Sequence, residues 1–463
     1  MTQKSSWYSK IPHPLIMLFG IIVFATVLTH LLPAGMYERV NVGGRDRVVP
    51  GSFQIVDAQP VSFFNMFRAF PEGYLKATPI IFICLASALM FALLERTKTI
   101  ENAVGTLLRK VGQGGGEIVV VALTIIYGFL GILVGYENNM ATVPIAAVVI
   151  LALGGDLVLA AGVSVGGMTV AFGLSPVNHY TVGIGHQIAE LPYFSGWQLR
   201  SIICAGGLAL MAFYNLRYYR RIRSQPELSI GQDLDTQGLS LSKPLNEFSI
   251  SRRNTLLLLI FLAGIIWMLY GIFTYQWSIN DVSAVFLTMT VSLAIFSGLK
   301  GREISEAGMA AIAQMAPATF IIGMAAVVKV VLEQGVIQDT ICYGLATALS
   351  GLPTMASAIG MSIGQSVLNL FIPSGSGQAL ATLPVMIPLG ELLGLSRQVS
   401  ILAFQIGDGV TNLFNPSLGG LIAMLGLCRV PFDRWLRYIL PLTGMVLLWA
   451  WLGLMVAVLI GWQ

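Results

Sequence analysis

Two stretches decide how this chain folds: "YENNMATVP", Tyr136 to Pro144, and "SGSGQALATLP", Ser374 to Pro384. Each interrupts long apolar runs with Gly, Ser, Asn or Gln and then continues as Ala-Thr-aliphatic-Pro. Of the 463 residues, 56% are hydrophobic and 10% charged. Many of the apolar runs are long enough, as helices, to cross a hydrocarbon layer of roughly 30 Å. Candidate spans are Leu15 to Leu32, Ala77 to Leu94, Ile118 to Val134, Ser201 to Leu216, Leu256 to Phe273, Val282 to Leu299, Ala310 to Leu332 and Ile439 to Ile460. The runs show no alternation of period two, and lipid offers no partners to backbone N–H and C=O groups. The chain therefore reads as an all-α polytopic membrane protein. Polar, Gly-rich backbone within it must be buried in protein or line a water-filled cavity.

The two stretches are copies. A shift of 240 residues places Ala141-Thr142-Val143-Pro144 on Ala381-Thr382-Leu383-Pro384, Gly167 on Gly407, and Ser175-Pro176 on Asn415-Pro416. A shift of 238 places Pro79 on Pro317 and Leu94-Glu95 on Leu332-Glu333. Internal repetition at this scale predicts two structural units: a first membrane half over 1–217, with its repeat core at about 75–190, and a second over 253–463, with its core at about 313–430. The segment between them, 218–252, is polar and reads as a flexible cytoplasmic linker.

Lys and Arg concentrate on the cytoplasmic side of short loops. Lys4 and Lys10 place the N-terminus inside, as do Arg96, Lys98, Arg109 and Lys110 for the end of the second span, and Arg217, Arg220, Arg221 and Arg223 for the linker. By this count the helix Ala310 to Leu332 starts inside and its repeat partner Ala77 to Leu94 starts outside, so the repeats are inverted. The segment Ala34 to Lys76, outside by the same count, resists the rule with five basic residues, offset by four acids. The first apolar run is longer than a signal h-region and reads as a retained helix in a bacterial cytoplasmic (inner) membrane.

Inverted repeats with interrupted helices are a common build of secondary transporters, with sites near the midplane where the broken segments meet. Each half supplies a re-entrant hairpin and a broken transmembrane helix. In the first, the arms are Ile118 to Val134 and Pro144 to Leu153, the tip is Gly135 to Ala141, and the next helix breaks at Ser175 to His179. In the second, the arms lie around Ala356 to Phe371 and Thr382 to Leu395, the tip is Pro373 to Gln378, and the helix from Ile401 breaks at Asn412 to Pro416. A broken helix exposes N–H groups at one end and C=O groups at the other, fit for anions and cations respectively. The candidate substrate- and ion-binding residues are Glu137, Asn138, Asn139, Ser175, Asn178, His179, Ser374, Gly375, Ser376, Gly377, Gln378, Asp408, Thr411, Asn412 and Asn415. A coupling Na⁺ could sit near Asn139, Ser376 and Asn412, or H⁺ could serve instead. No other cofactor is implied.

Intramembrane carboxylates cost about 2.5–3.5 kcal/mol on the insertion scale and so mark pathways or paired sites, which singles out Glu137 and Asp408. The bland alternatives are a surface loop for Glu137 and a capping role for Asp408. His179 reads either as a proton relay or as a packing histidine, and His186 as an outer-surface residue. Lys329 and Glu333 are spaced to form an i,i+4 ion pair. Cys84, Cys204, Cys342 and Cys428 show neither CxxC pairing nor metal spacing. With no large soluble domain and a net charge of only +4, nucleic acid is excluded as a partner, leaving a small-molecule substrate and the bilayer.

The segment Phe371 to Arg437, "FIPSGSGQALATLPVMIPLGELLGLSRQVSILAFQIGDGVTNLFNPSLGGLIAMLGLCRVPFDRWLR", resembles the C4-dicarboxylate anaerobic carrier family, and within it a branch described as basic amino acid antiporters. "SPVNHYTVGIGHQIAELPYFSG" in the first half is similar to it as well. The resemblance implies the ion-transporter superfamily fold, often as a homodimer, and carries a site role to Ser374, Gly375, Ser376, Gly377, Gln378, Asp408 and Asn415-Pro416. Where that branch often has Gly-Glu-Glu at the first tip, this chain has Tyr136-Glu137-Asn138 and lacks one acid. The function expected is alternating-access transport of a basic amino acid of arginine or ornithine type by antiport, with a Na⁺- or H⁺-coupled C4-dicarboxylate or other small carboxylate carrier as the alternative. An intramembrane hydrolase using Ser374 or Ser376 with His179 is a remote third reading.

Overall fold

The computed structural model describes residues 14–42, 45–49, 51–111, 115–134, 137–192, 194–239, 247–275 and 277–463. The side chains of a few further positions, Glu137, Asn138 and His179 among them, lie outside the described set, as do Gly135 and Tyr136 of the first tip. The chain is nearly all helical. Helix α1 (Pro14–Leu31) is followed by a loop carrying two small antiparallel sheets, β1 (Gly35–Met36) with β4 (Gln54–Ile55), and β2 (Arg39–Val42) with β3 (Arg45–Val48). The apolar pattern gave no hint of these strands.

Two series of helices follow in the same order. The first is α2 (Phe63–Arg96), α3 (Thr99–Val111), α4 (Gly116–Val134), a 3₁₀ turn at Glu137–Thr142, α5 (Val143–Ala152), α6 (Leu157–Ala161) running through a π turn into α7 (Gly167–Gly173), then α8 (Ile184–Ile188) and α9 (Trp197–Ser224). Helices α10 (Arg252–Tyr275) and α11 (Ile279–Phe296) intervene. The second is α12 (Gly301–Gln334), α13 (Gln338–Leu349), α14 (Thr354–Asn369), α15 (Gly375–Leu392), α16 (Arg397–Thr411), α17 (Gly419–Leu427) and α18 (Phe432–Leu459). The first and last members of the two series agree in length, α2 and α12 with 34 residues each and α9 and α18 with 28, whereas α5 has 10 residues and α15 has 18. Among the described residues, five helices, α2, α9, α11, α12 and α18, are long and apolar enough to cross a membrane alone. The broken helices are shorter and lie more deeply in the protein; every residue of α7 is buried, as is every residue of α16 from Gln398 onward.

Like packs on like. Helices α2 and α12 form the most extensive helix pair, brought close by Gly73, where an added Cβ would lie 2.9 Å from Val327 N. Along this seam Glu333 pairs with Lys329 at 3.6 Å, as its spacing predicts, and with Lys76 of α2 at 2.5 Å, which spacing could not show. Helices α7 and α16 cross through Gly173 and Gly409. A Cβ at Gly173 would lie 2.5 Å from Gly409 C, and one at Gly409 would lie 2.1 Å from Gly173 Cα. Small residues at membrane helix crossings permit such backbone-to-backbone approach.

The described part of the linker is packed rather than free, correcting the flexible reading. Asp156, the N-cap of α6, accepts from Leu159 N, Tyr218 Oη, Ser229 Oγ and Gly231 N at 2.6–3.2 Å. Arg434 donates to Ile230 O and Asp233, Arg429 donates to Gln237 O, and Leu239 is buried. Composition reads this segment as polar coil because its order comes from distant side chains.

Candidate functional site

The "SGSG" string is not a loop tip. Ser374 is the N-cap of α15, its Oγ accepting from Gly377 N at 3.3 Å, so Gly375, Ser376, Gly377 and Gln378 form the first helical turn. The connection between hairpin arms is Leu370–Ser374 instead. A serine cap outweighs the poor helix propensity of two glycines here, and the missing Cβ serves another purpose. An added Cβ at Gly375 would lie 2.8 Å from Thr181 Cγ2 and 3.2 Å from Asp408 Oδ2.

Three elements thus meet: the N-terminus of α15, the last turn of α16 at Asp408, and the segment resuming the first broken helix at Thr181. Asn178 caps that segment, its Oδ1 accepting from Tyr180 N at 2.7 Å and Thr181 N at 3.2 Å. Asp408 is fully buried, and neither carboxylate oxygen has a hydrogen-bond partner among the described residues. Thr181 Oγ1, Gln378 Oε1 and Asn369 Oδ1 are likewise buried without one. Buried polar groups are otherwise overwhelmingly satisfied, so a bare carboxylate with a bare Thr181 hydroxyl across Gly375 from it requires an account. The arrangement can receive a cationic group, a metal ion or a proton at Asp408, beside the open N–H groups that begin α15.

The second break is held by Asn369, at the end of α14. Its Nδ2 lies 2.8 Å from each of Asp408 O, Thr411 Oγ1 and Asn412 Oδ1, and its own carbonyl accepts from Asn415 Nδ2 at 2.7 Å. Asn415 Oδ1 turns back to Ser417 N. Of the predicted residues, Thr411, Asn412 and Asn415 therefore support the unwound backbone between α16 and α17. Gln378 ties the hairpin arms together, donating to Gln365 O at 2.8 Å and to Gln365 Oε1 at 2.7 Å. Ser175 is buried at the first break, its Oγ accepting from Val177 N at 3.3 Å and its carbonyl from Gln405 Nε2 at 2.6 Å.

The first tip lies elsewhere. Its 3₁₀ turn packs on α2 and α17, and Asn139, buried, donates to Leu130 O at 3.2 Å. Glu137 and Asn138 belong to that turn by their backbone, while their side chains, like that of His179, fall outside the described residues. His186 is fully buried against Gln398 rather than at the surface, because α8 is covered by α15 and α16.

Thr181, Gln365, Asn369 and Gln405 escaped the sequence reading. One signal was available for Asn369: "NLFIPS" (369–374) repeats as "NLFNPS" (412–417), the second string being the break itself. Thr181 and Gln365 are single polar residues within helical runs and carry no local mark, whereas Gln405 opens the string "QIGDG" (405–409), which drew attention to Asp408 and gave the glutamine no role.

Comparison with known proteins now places the molecule. The family model for DcuC, the C4-dicarboxylate anaerobic carrier, matches residues 11–459. The chain belongs to this family of membrane transporters, and it is not an enzyme. A protein of Escherichia coli (strain K12), YfcC, provisionally named a basic amino acid antiporter, is 27% identical, with 98% of this chain and 97% of that one covered. An uncharacterized protein of Haemophilus influenzae is 24% identical over 94% of this chain and 95% of its own. Among solved structures, the YdaH transporter of Alcanivorax borkumensis aligns at 16% identity and TM-score 0.45, covering 97% and 99% of the two chains. MtrF of Neisseria gonorrhoeae, described with a class of antimetabolite efflux pumps, aligns at 18% and 0.46, covering 97% and 95%.

Proposed function

We propose that this protein is a secondary active transporter of the inner membrane, N-terminus cytoplasmic, that exchanges a basic amino acid by alternating access of two inverted repeats. The observation that carries the reading is Asp408, a buried carboxylate with neither oxygen partnered among the described residues, facing Gly375 and Thr181 across the junction of α15, α16 and the first break. A guanidinium or ammonium placed there would complete a charge-assisted pair. The same atoms could instead take the coupling Na⁺ or H⁺. YfcC, a relative over nearly its whole length, lends its provisional name to the cationic substrate.

A second reading has its own support in the family description and in the open start of α15, which suits a carboxylate. There a C4-dicarboxylate binds the helix N-terminus while a cation sits on Asp408. The test is counterflow in proteoliposomes loaded in turn with arginine, ornithine or succinate, with and without Na⁺ and with an imposed pH gradient. Saturable exchange of arginine or ornithine supports the first reading and saturable succinate exchange the second. Asp408→Asn removes a charged hydrogen-bond acceptor, about 1.5–3 kcal/mol, which corresponds to roughly tenfold to a hundredfold in affinity. Unchanged uptake and ion dependence in that variant would remove Asp408 from the site.

A further inference from the structure

A second buried polar group packs against α16, and the proposed transport site makes no direct use of it. Arg200, in the first turn of α9, is fully buried. Its partners are neutral: Nη1 donates to Gln398 Oε1 at 2.8 Å and Ser195 O at 3.2 Å, Nη2 to Gln398 O at 3.5 Å, and Nε to Gln405 Oε1 at 3.3 Å. The guanidinium also stacks over Trp462, 4.7 Å from the ring centroid. The acids at this end of the molecule, Glu190 and Glu391, pair instead with Arg397, at 3.7 and 2.6 Å. His186 shares the Gln398 acceptor at 3.2 Å. Its Nδ1 accepts from Phe194 N at 3.0 Å, so in the neutral ring the proton is on Nε2.

The consequence falls on Gln405. A guanidinium is a donor only, so it draws the amide oxygen of Gln405 toward itself and leaves Nε2 to face the other way. Nε2 there donates at 2.6 Å to the carbonyl of Ser175, a fully buried group in the unwound segment of the first broken helix. Gln405 precedes Asp408 by one helical turn. We propose that Arg200 is a positioning residue of the transport site: by orienting the Gln405 amide it fixes the Ser175 carbonyl against α16, holding the first break in register with Asp408. The inference rests on Asp408 as the binding carboxylate. Arg200 touches no substrate in this account: four of its five N–H donors are engaged by Gln398, Ser195 and Gln405, and the side chain is fully buried.

Gln405→Glu separates positioning from mere burial of charge. It keeps an acceptor for Arg200, and gives it a carboxylate, but takes the donor away from Ser175. In full-length protein in nanodiscs, hydrogen exchange over Leu174–Gly183 is expected to quicken at least about tenfold in this variant, since an opened hydrogen bond governs local exchange, with the first turn of α9 unchanged. Arg200→Lys, which supplies one compact charge in place of a fork, loosens both regions. In counterflow with arginine and with succinate, Gln405→Glu raises KM with a smaller change in kcat, and KM does not depend on how much protein folds. Wild-type exchange at Leu174–Gly183, or a wild-type KM, overturns the proposal. Asp408→Asn run in parallel keeps the two ideas apart: retained transport there removes the site reading, whereas its loss beside a normal Gln405→Glu removes only the role of Arg200.

Discussion

The crossing of α7 and α16 makes a sharp demand on Gly173 and Gly409. In a Gly409→Ala protein the new methyl would lie 2.1 Å from Gly173 Cα, where ordinary contact begins at 3.4 Å, so the helices must part by more than an ångström at that point. Its nearest neighbours are all backbone atoms, which cannot rotate away as a side chain would. Overpacking of this kind costs about 1–3 kcal/mol, and the absence of a yielding neighbour argues for the upper end. About 3 kcal/mol is roughly a hundredfold in the equilibrium between intact and opened crossing. Alanine is otherwise the better helix former, by about 0.8–1.0 kcal/mol, so any loss is the net of a larger strain. Gly20→Ala and Gly444→Ala are matched controls, since nothing lies within 4 Å of an added Cβ at either. Thermal unfolding of purified protein in detergent should fall clearly for Gly409→Ala and Gly173→Ala and hold or rise for the controls. The double variant should cost less than the sum, because one displacement relieves both clashes. A Gly409→Ala protein with wild-type melting and uptake would refute the close crossing.

Three further changes test neighbouring parts. Asn369→Ala strips the amide that gathers Asp408 O, Thr411 and Asn412 and should lower stability by about 1–3 kcal/mol; unfolding in a denaturant series checks it. Ser374→Ala removes the cap of α15 and should cost about 1 kcal/mol, with hydrogen exchange quickening at Gly377 and not at the middle of the helix. Asp156→Ala leaves Tyr218, Ser229 and Gly231 without their shared acceptor and should expose residues 229–239 to limited proteolysis, while wild type resists.

Much of the architecture was legible because the bilayer leaves so few options. Each expected span is helical over all or nearly all of its length, while the 240-residue shift that aligns Ala141-Thr142 with Ala381-Thr382 sets a 3₁₀ turn in the first half against the early turns of α15 in the second. Asp408 stood out as an acid in an apolar run, and it is the buried carboxylate at the junction. Other features are invisible for identifiable reasons. Thr181 and Gln405 gain meaning only from what packs opposite them, some 200 residues away in the case of Gln405 and Arg200. The helical start at Ser374 depends on a single cap, which the glycines around it disguise. The strands at 35–55 are stabilised by contacts such as Asp339 with Arg39 and Tyr37 N, and no alternation announces them.

The pinned linker changes what it means for the two sequence halves to be joined. Residues 229–239 grip Asp156 on one side and Arg429 and Arg434 on the other by contacts that do not need the covalent chain beyond them. A clasp of this sort would survive a nick further along, so that the severed pieces keep each other's company and still find the same embrace. Connectivity here is reinforced by recognition, and the molecule is in that respect already its own docking partner.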